Sequence, residues 1–190
     1  MEIATTYKLI VIGGSAGSFA SVNHILQELP AGFPIPIVIC MHRLKHINSG
    51  FKETLEIVSK NKVMEPFHND LLEPGHIYIV PANYHMMIQS DMRVLFSTEE
   101  LVNFTRPSID VLFYSVAQSF GKNAIGIILS GAHKDGVDGL HDMYKTGATT
   151  VVQDPQEAQV STMPQAVLDV MKPQYVFTLK SIIAFLNSLS

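Results

Sequence analysis

The sequence contains one cysteine, Cys40, and no run of lysine or arginine. A single thiol excludes an internal disulfide and suits a reducing compartment. With no basic run and a formal net charge of −4, nucleic acid and anionic membrane are poor partners. The longest apolar run, near Ile35 to Met41, is too short to cross a bilayer, so no direct membrane insertion is expected. Met1-Glu2 opens on an acid with no basic segment behind it, which excludes a recognisable signal peptide and predicts a cytoplasmic location. Internal repeats, low-complexity tracts and linkers are absent as well. What remains is 190 residues, 47% of them hydrophobic and 16% charged, a composition that supplies a sizeable core and predicts one domain over 1–190.

Apolar runs alternate with helical patterns along most of the chain. Tyr7 to Ile12 reads as a first strand, Phe19 to Leu29 as a helix, Pro36 to Met41 as a second strand and Ser49 to Lys60 as a helix capped by Asn48 or Ser49. Val63 to Phe67, His76 to Val80, Tyr84 to Gln89 and Arg93 to Ser97 read as short strands. The last three are separated by turn residues and predict a small antiparallel excursion. After a polar loop from Thr98 to Thr105, Pro107 at the first helical position opens a helix to Phe120. Asn123 to Leu129 and Thr149 to Gln153 are strands, and Gly136 to Lys145 is the helix between them. A helix from Met163 to Met171, a strand at Tyr175 to Phe177 and a helix from Leu179 to Leu189 complete the pattern. The expected fold is α/β, a doubly wound and mostly parallel sheet with helices on both faces. In such sheets ligands sit beyond the carboxyl ends of the strands.

Three residues follow strands directly and so share that edge. Ser15 lies in Gly13-Gly14-Ser15-Ala16-Gly17, between a strand and a helix. Glycines allow the sharp backbone, and the first N–H groups of the helix point towards the hydroxyl. His42 follows the second strand, and Asp135 lies in the strand-to-helix turn Leu129 to Gly136. Each has an ordinary reading: Ser15 and Asp135 as helix caps, His42 as a structural histidine. Together they are the minimum kit for nucleophilic acyl transfer: a serine, a base and a carboxylate that orients the base. Being loop positions, they are expected to be exposed and to tolerate substitution without loss of fold. The order Ser…His…Asp differs from that of α/β-hydrolases, which run Ser…Asp…His. The glycines lack the full dinucleotide pattern and no Gly-Lys-Ser/Thr follows, so no cofactor is expected. His133, Asp135, Asp138, His141 and Asp142 match no standard zinc or calcium spacing, so no metal is expected either.

A wider set of motifs then makes a resemblance specific. Ile12 to Gly17, Met41-His42, Glu73-Pro74-Gly75-His76-Ile77-Tyr78-Ile79-Val80-Pro81, His85-Met86, Arg106 to Phe113, Ile128 to Gly131, Asp135-Gly136 and Met163-Pro164 together resemble the catalytic domain of the chemotaxis protein-glutamate methylesterases, the CheB family, over Leu9 to Phe177. The resemblance implies a doubly wound α/β sandwich and a Ser15, His42, Asp135 triad. It implies hydrolysis of glutamyl methyl esters on chemoreceptors with release of methanol, and deamidation of some receptor glutamines. Ala16 and Ser18 stand where the family usually has threonine and a second glycine. Gly131-Ala132-His133-Lys134 stands where it usually has Gly-Met-Gly-Asn.

On that reading the N–H groups of Ala16 and Ala132 face the oxyanion, and Gly14, Gly17, His85 and Arg106 are candidate cleft residues, Arg106 being equally suited to a structural ion pair. The partner is a methylated chemoreceptor. The family's receiver domain has no counterpart before Tyr7, so the cleft is expected to be open and the chain active without a phosphoryl donor, any control coming from a separate response regulator or receiver domain. Two alternatives remain: a related serine hydrolase acting on another ester or amide, and a catalytically degenerate regulatory binding module.

Overall fold

The computed structural model describes residues 7–42 and 50–190. Its chain order is β1 (Leu9–Gly14), α1 (Ser18–Glu28), β2 (Ile37–Met41), α2 (Phe51–Val58), β3 (Lys62–Met64), β4 (His76–Ile79), β5 (His85–Ile88), β6 (Val94–Ser97), α3 (Ile109–Phe120), β7 (Ala124–Ile128), α4 (Val137–Lys145), β8 (Thr149–Gln153), α5 (Thr162–Val170), β9 (Tyr175–Phe177) and α6 (Leu179–Asn187). Seven strands form one parallel sheet in the order β3-β4-β2-β1-β7-β8-β9. Strands β1, β2, β7 and β8 are buried along their whole length, as their mainly apolar or β-branched sequences require for a sheet covered on both faces.

Alternate residues of these strands feed two cores. Ile10, Ile12, Ile37, Ile39, Ile125 and Ile127 pack with α1, α2 and α6 on one face. Leu9, Val11, Val38, Cys40 and Ile128 pack with α3, α4 and α5 on the other. The sheet runs outward from β1 in both directions, through β2 on one side and β7 on the other. The carboxyl ends of β1, β2 and β7 therefore flank the point where the winding reverses, the usual place for a site in such folds.

The structure corrects three expectations. The strand at His76 does not belong to the antiparallel excursion: β4 pairs in parallel with both β2 and β3, and only β5 and β6 form an antiparallel hairpin. Helix α3 begins at Ile109, two residues later than a first helical position at Pro107 predicts, because Ser108 is the cap and its hydroxyl accepts from the Val111 N–H at 3.4 Å. The caps proposed for α2, Asn48 and Ser49, lie outside the described residues, and Gly50 occupies the cap position. Among the described residues no helix is long and apolar enough to cross a membrane.

Candidate active site

Ser15, His42 and Asp135 all emerge at the carboxyl edge of the sheet. The register of β1 against β2 pairs Gly14 with Met41, so Ser15 and His42 stand opposite each other one position beyond the last pair. The His42 N–H donates to the Gly14 carbonyl at 3.3 Å. Ser15 is not the cap of α1. That position belongs to Gly17, in the left-handed region at φ 80°, and no side chain caps the helix. The Ser15 main chain is instead held at both ends: its N–H donates to the Ser130 carbonyl at 3.0 Å, and its carbonyl accepts from the Ser18 N–H at 3.1 Å and the Ser18 hydroxyl at 2.6 Å. The Ser15 hydroxyl makes no hydrogen bond among the described residues, and the residue is partly exposed.

Sequence reasoning missed Ser130 as the clamp of this turn. Its hydroxyl reaches the carbonyls of Ala16 (2.8 Å) and Val160 (3.2 Å) and accepts from the Val160 N–H (2.9 Å). Gly14 is buried and shapes the turn rather than lining the cleft, since a Cβ there would meet Ser18 Oγ at 2.5 Å. The main-chain N–H groups of Ala16 and Ala132 are both on exposed residues and carry no hydrogen bond among the described residues.

The imidazole of His42 donates from Nε2 to Asp135 Oδ2 at 2.7 Å. An ionised carboxylate only accepts, so this bond places the proton on Nε2 and leaves the Nδ1 lone pair for another partner. The His42 side chain is 14% exposed and that of Asp135 is 0% exposed. This overturns the expectation that Asp135 is an exposed loop residue. Nor does it cap α4, whose cap is Gly136. Its carboxylate reaches across to the start of α3, where it accepts from the N–H groups of Ile109 (2.6 Å) and Asp110 (3.2 Å) and from the Ser108 hydroxyl (2.7 Å). Asn103 Nδ2 at 3.4 Å and Thr105 Oγ1 at 3.3 Å complete the ring. Burial alone raises the Asp135 carboxyl. The His42 hydrogen bond, the Ile109 N–H, the Ser108 hydroxyl and the charge of His42 outweigh it and hold the group down to about 2. The amino end of a helix favours an anion in the same way.

Asp110 is the opposite case. It is buried at 9% exposure, accepting from the Gly139 N–H and Asn103 Nδ2 at 2.7 Å each. Burial raises its carboxyl, the Gly139 N–H offsets part of the effect, and Asp135 and Asp138 push it further, to about 7.

The remaining expectations divide. His85 is 2% exposed: its Nδ1 accepts from the Ser108 N–H at 3.3 Å and its Nε2 donates to the Glu100 carbonyl at 2.9 Å. It is a structural pin between the β5–β6 hairpin and the start of α3, not a cleft residue. Arg106 makes no ion pair among the described residues. Its Nη1 donates to the carbonyls of Thr98 and Glu99 at 2.7 Å each, and it lines a cavity of about 200 Å³ with His42, Asn83, Leu101, Phe104, Thr105 and Pro107. His133 comes close to His42, the two rings lying 6.1 Å apart and edge-on. The Asp135 N–H donates to its Nδ1 at 3.1 Å.

A serine opposite a histidine that is itself fixed by a buried carboxylate suits proton abstraction from the hydroxyl and attack on a carbonyl carbon. Comparisons with known proteins agree with that chemistry. The family model described as CheB methylesterase matches residues 10–186. A Leptospira interrogans protein, provisionally named a protein-glutamate methylesterase/protein-glutamine glutaminase, is 39% identical over 176 residues, which are 93% of this chain and 91% of that protein. A Chromohalobacter salexigens protein of the same name, without the proviso, is 37% identical over 166 residues, 86% of this chain but 47% of that protein, so the chain spans about half of that relative's length. The crystal structure of the Thermotoga maritima CheB methylesterase catalytic domain superposes with a TM-score of 0.90 at 28% identity, covering 97% of this chain and 100% of that one.

Proposed function

The chain belongs to the CheB methylesterase family, and from that premise we propose that it is a protein-glutamate methylesterase acting on methylated chemoreceptors, with Ser15 as nucleophile, His42 as base and Asp135 as the group that holds the base. The observation that supports this most is the 2.7 Å bond from His42 Nε2 to the buried Asp135 carboxylate, with Ser15 directly opposite His42 in register. Ser15 Oγ attacks the ester carbonyl of a γ-methyl glutamate as His42 Nδ1 takes its proton. The N–H groups of Ala16 and Ala132 face the oxyanion. The tetrahedral adduct collapses, His42 returns the proton to the departing methoxide, and methanol leaves. Water then attacks the acyl-serine with His42 again as base, releasing glutamate and restoring the hydroxyl. The same cycle on a glutamine side chain releases ammonia. Asp135 stays ionised throughout, since its carboxyl is already held at about 2.

The substrate places the enzyme on the cytoplasmic side of the receptor, and a response regulator or receiver domain is the regulatory partner. Methanol release from methylated receptor membranes tests the proposal. The wild type should release it and Ser15→Ala should lose nearly all turnover, with His42→Ala no better and the double variant little worse than either. Near-normal hydrolysis by Ser15→Ala would refute the nucleophile. The chain by itself should release methanol equally with and without acetyl phosphate, and substantial stimulation of the chain alone by that donor would refute control by a separate partner.

A further inference from the structure

The segment between β6 and α3 forms one wall of the cavity that contains His42, and its tip is built against the usual preferences of its residues. Val102 and Thr105 exchange main-chain hydrogen bonds at 3.2 and 2.9 Å. The two residues between them, Asn103 and Phe104, both have positive φ, 51° and 62°. That is a two-residue turn whose first position suits asparagine and whose second suits glycine. Phenylalanine enters the left-handed region only against steric resistance. Packing against the described residues does not repay it, because Phe104 is 91% exposed, more than any other large apolar residue described, with Leu101 at 53% beside it.

The turn is nonetheless held in place from beneath. Asn103 Nδ2 donates to Asp110 at 2.7 Å and reaches Asp135 at 3.4 Å. Thr105 Oγ1 reaches Asp135 at 3.3 Å, and Arg106 ties back to the Thr98 and Glu99 carbonyls. The carboxylate that fixes His42 therefore also fixes the position of Phe104 relative to it. Backbone strain maintained by such a network, at the rim of a reactive cleft, marks a group positioned for a ligand.

We propose that Phe104, with Leu101, is a specificity-determining residue that packs against an apolar side chain of the protein substrate flanking the esterified glutamate. Leu101 and Phe104 line the cavity of about 200 Å³ together with His42, so a protein substrate that brings its esterified glutamate to His42 sets the flanking residues against these two side chains. The inference rests on the methylesterase reading and adds to it how a protein substrate is told from a small ester.

The test uses the full chain with Phe104→Gly and Phe104→Tyr, comparing methanol release from methylated receptors with hydrolysis of p-nitrophenyl acetate. Glycine adopts the turn without strain, so the melting temperature of Phe104→Gly should be equal to or above that of the wild type. Its ratio of receptor kcat/KM to small-ester kcat/KM should fall about 10-fold, mainly through the receptor KM. Phe104→Tyr keeps the ring and should restore the ratio to near wild type. A ratio unchanged in Phe104→Gly, an equal loss on both substrates, or a clearly lowered melting temperature would overturn the inference while leaving the methylesterase reading intact. A wild type that cleaves the small ester but is inert toward methylated receptors would refute that reading, and this inference with it.

Discussion

Replacing Asp110 by asparagine should make the protein more stable in mildly alkaline solution, although Asp110 accepts two short hydrogen bonds. The carboxylate is buried between α3 and α4 and accepts from the Gly139 N–H and Asn103 Nδ2. Both charged groups that act on it, Asp135 and Asp138, have its own sign. Its carboxyl is therefore raised from 3.8 to about 7. A carboxyl raised on folding contributes stability that is complete below the unfolded value. That stability is lost as pH climbs from about 4 through about 7. At about 1.4 kcal/mol per pH unit, the whole displacement corresponds to about 4 kcal/mol. Asparagine is neutral at every pH; its carbonyl can still accept from Gly139, and its amide donates to Asn103 once Asn103 turns its own carbonyl oxygen toward it. The variant should gain roughly 2 to 4 kcal/mol on the wild type between about pH 5 and pH 8.5. For a chain of 190 residues that is on the order of 10 °C in melting temperature. The assay is thermal unfolding of both proteins, followed by circular dichroism across that range. Melting curves separated by the same interval at every pH would show that Asp110 is ionised throughout and would refute the argument.

Two further predictions concern the groups around the serine. Asp135→Asn should lower kcat by about 10⁴, because the wrong ring nitrogen of His42 is then protonated. Because the carboxylate is fully buried and accepts from five groups besides His42, the variant should also unfold at lower denaturant, and a purely catalytic loss with unchanged unfolding would contradict the geometry. Gly17→Ala places a Cβ 2.7 Å from Ser130 Oγ and 2.8 Å from Gln159 Cβ at φ +80°. It should cost about 1 to 3 kcal/mol in urea unfolding and lower esterase activity, and a neutral result would mean that the turn is looser than described.

The central strands are legible in the sequence because Leu9–Gly14, Ile37–Met41 and Ala124–Ile128 are apolar runs that end abruptly at glycine, histidine or serine. That punctuation also places Ser15, His42 and Asp135 at one sheet edge. It does not carry strand partners. The turns around His76–Ile79 suggest a hairpin, but Ile77 and Ile79 lie beside Ile37 and Ile39, where a parallel neighbour buries them better than a hairpin could. The surroundings of Asp135 are equally invisible to local pattern. Ser108, Ile109 and Asp110 reach it from more than twenty residues away, brought there by the packing of α3 on α4. His85 misleads for the same reason: its position beside a turn resembles a cleft residue, but both ring nitrogens are used internally.

The carboxylate of Asp135 is also the anion on which α3 begins. A lineage of this fold that abandoned hydrolysis could exchange Ser15 with little disturbance to its architecture, since the serine is held through its main chain and its hydroxyl makes no hydrogen bond among the described residues. It could not discard Asp135 so freely, because the first turn of a core helix would lose its acceptor. In inactive descendants the aspartate should therefore outlast the serine, and a chain that retains it has shown only that it keeps the scaffold.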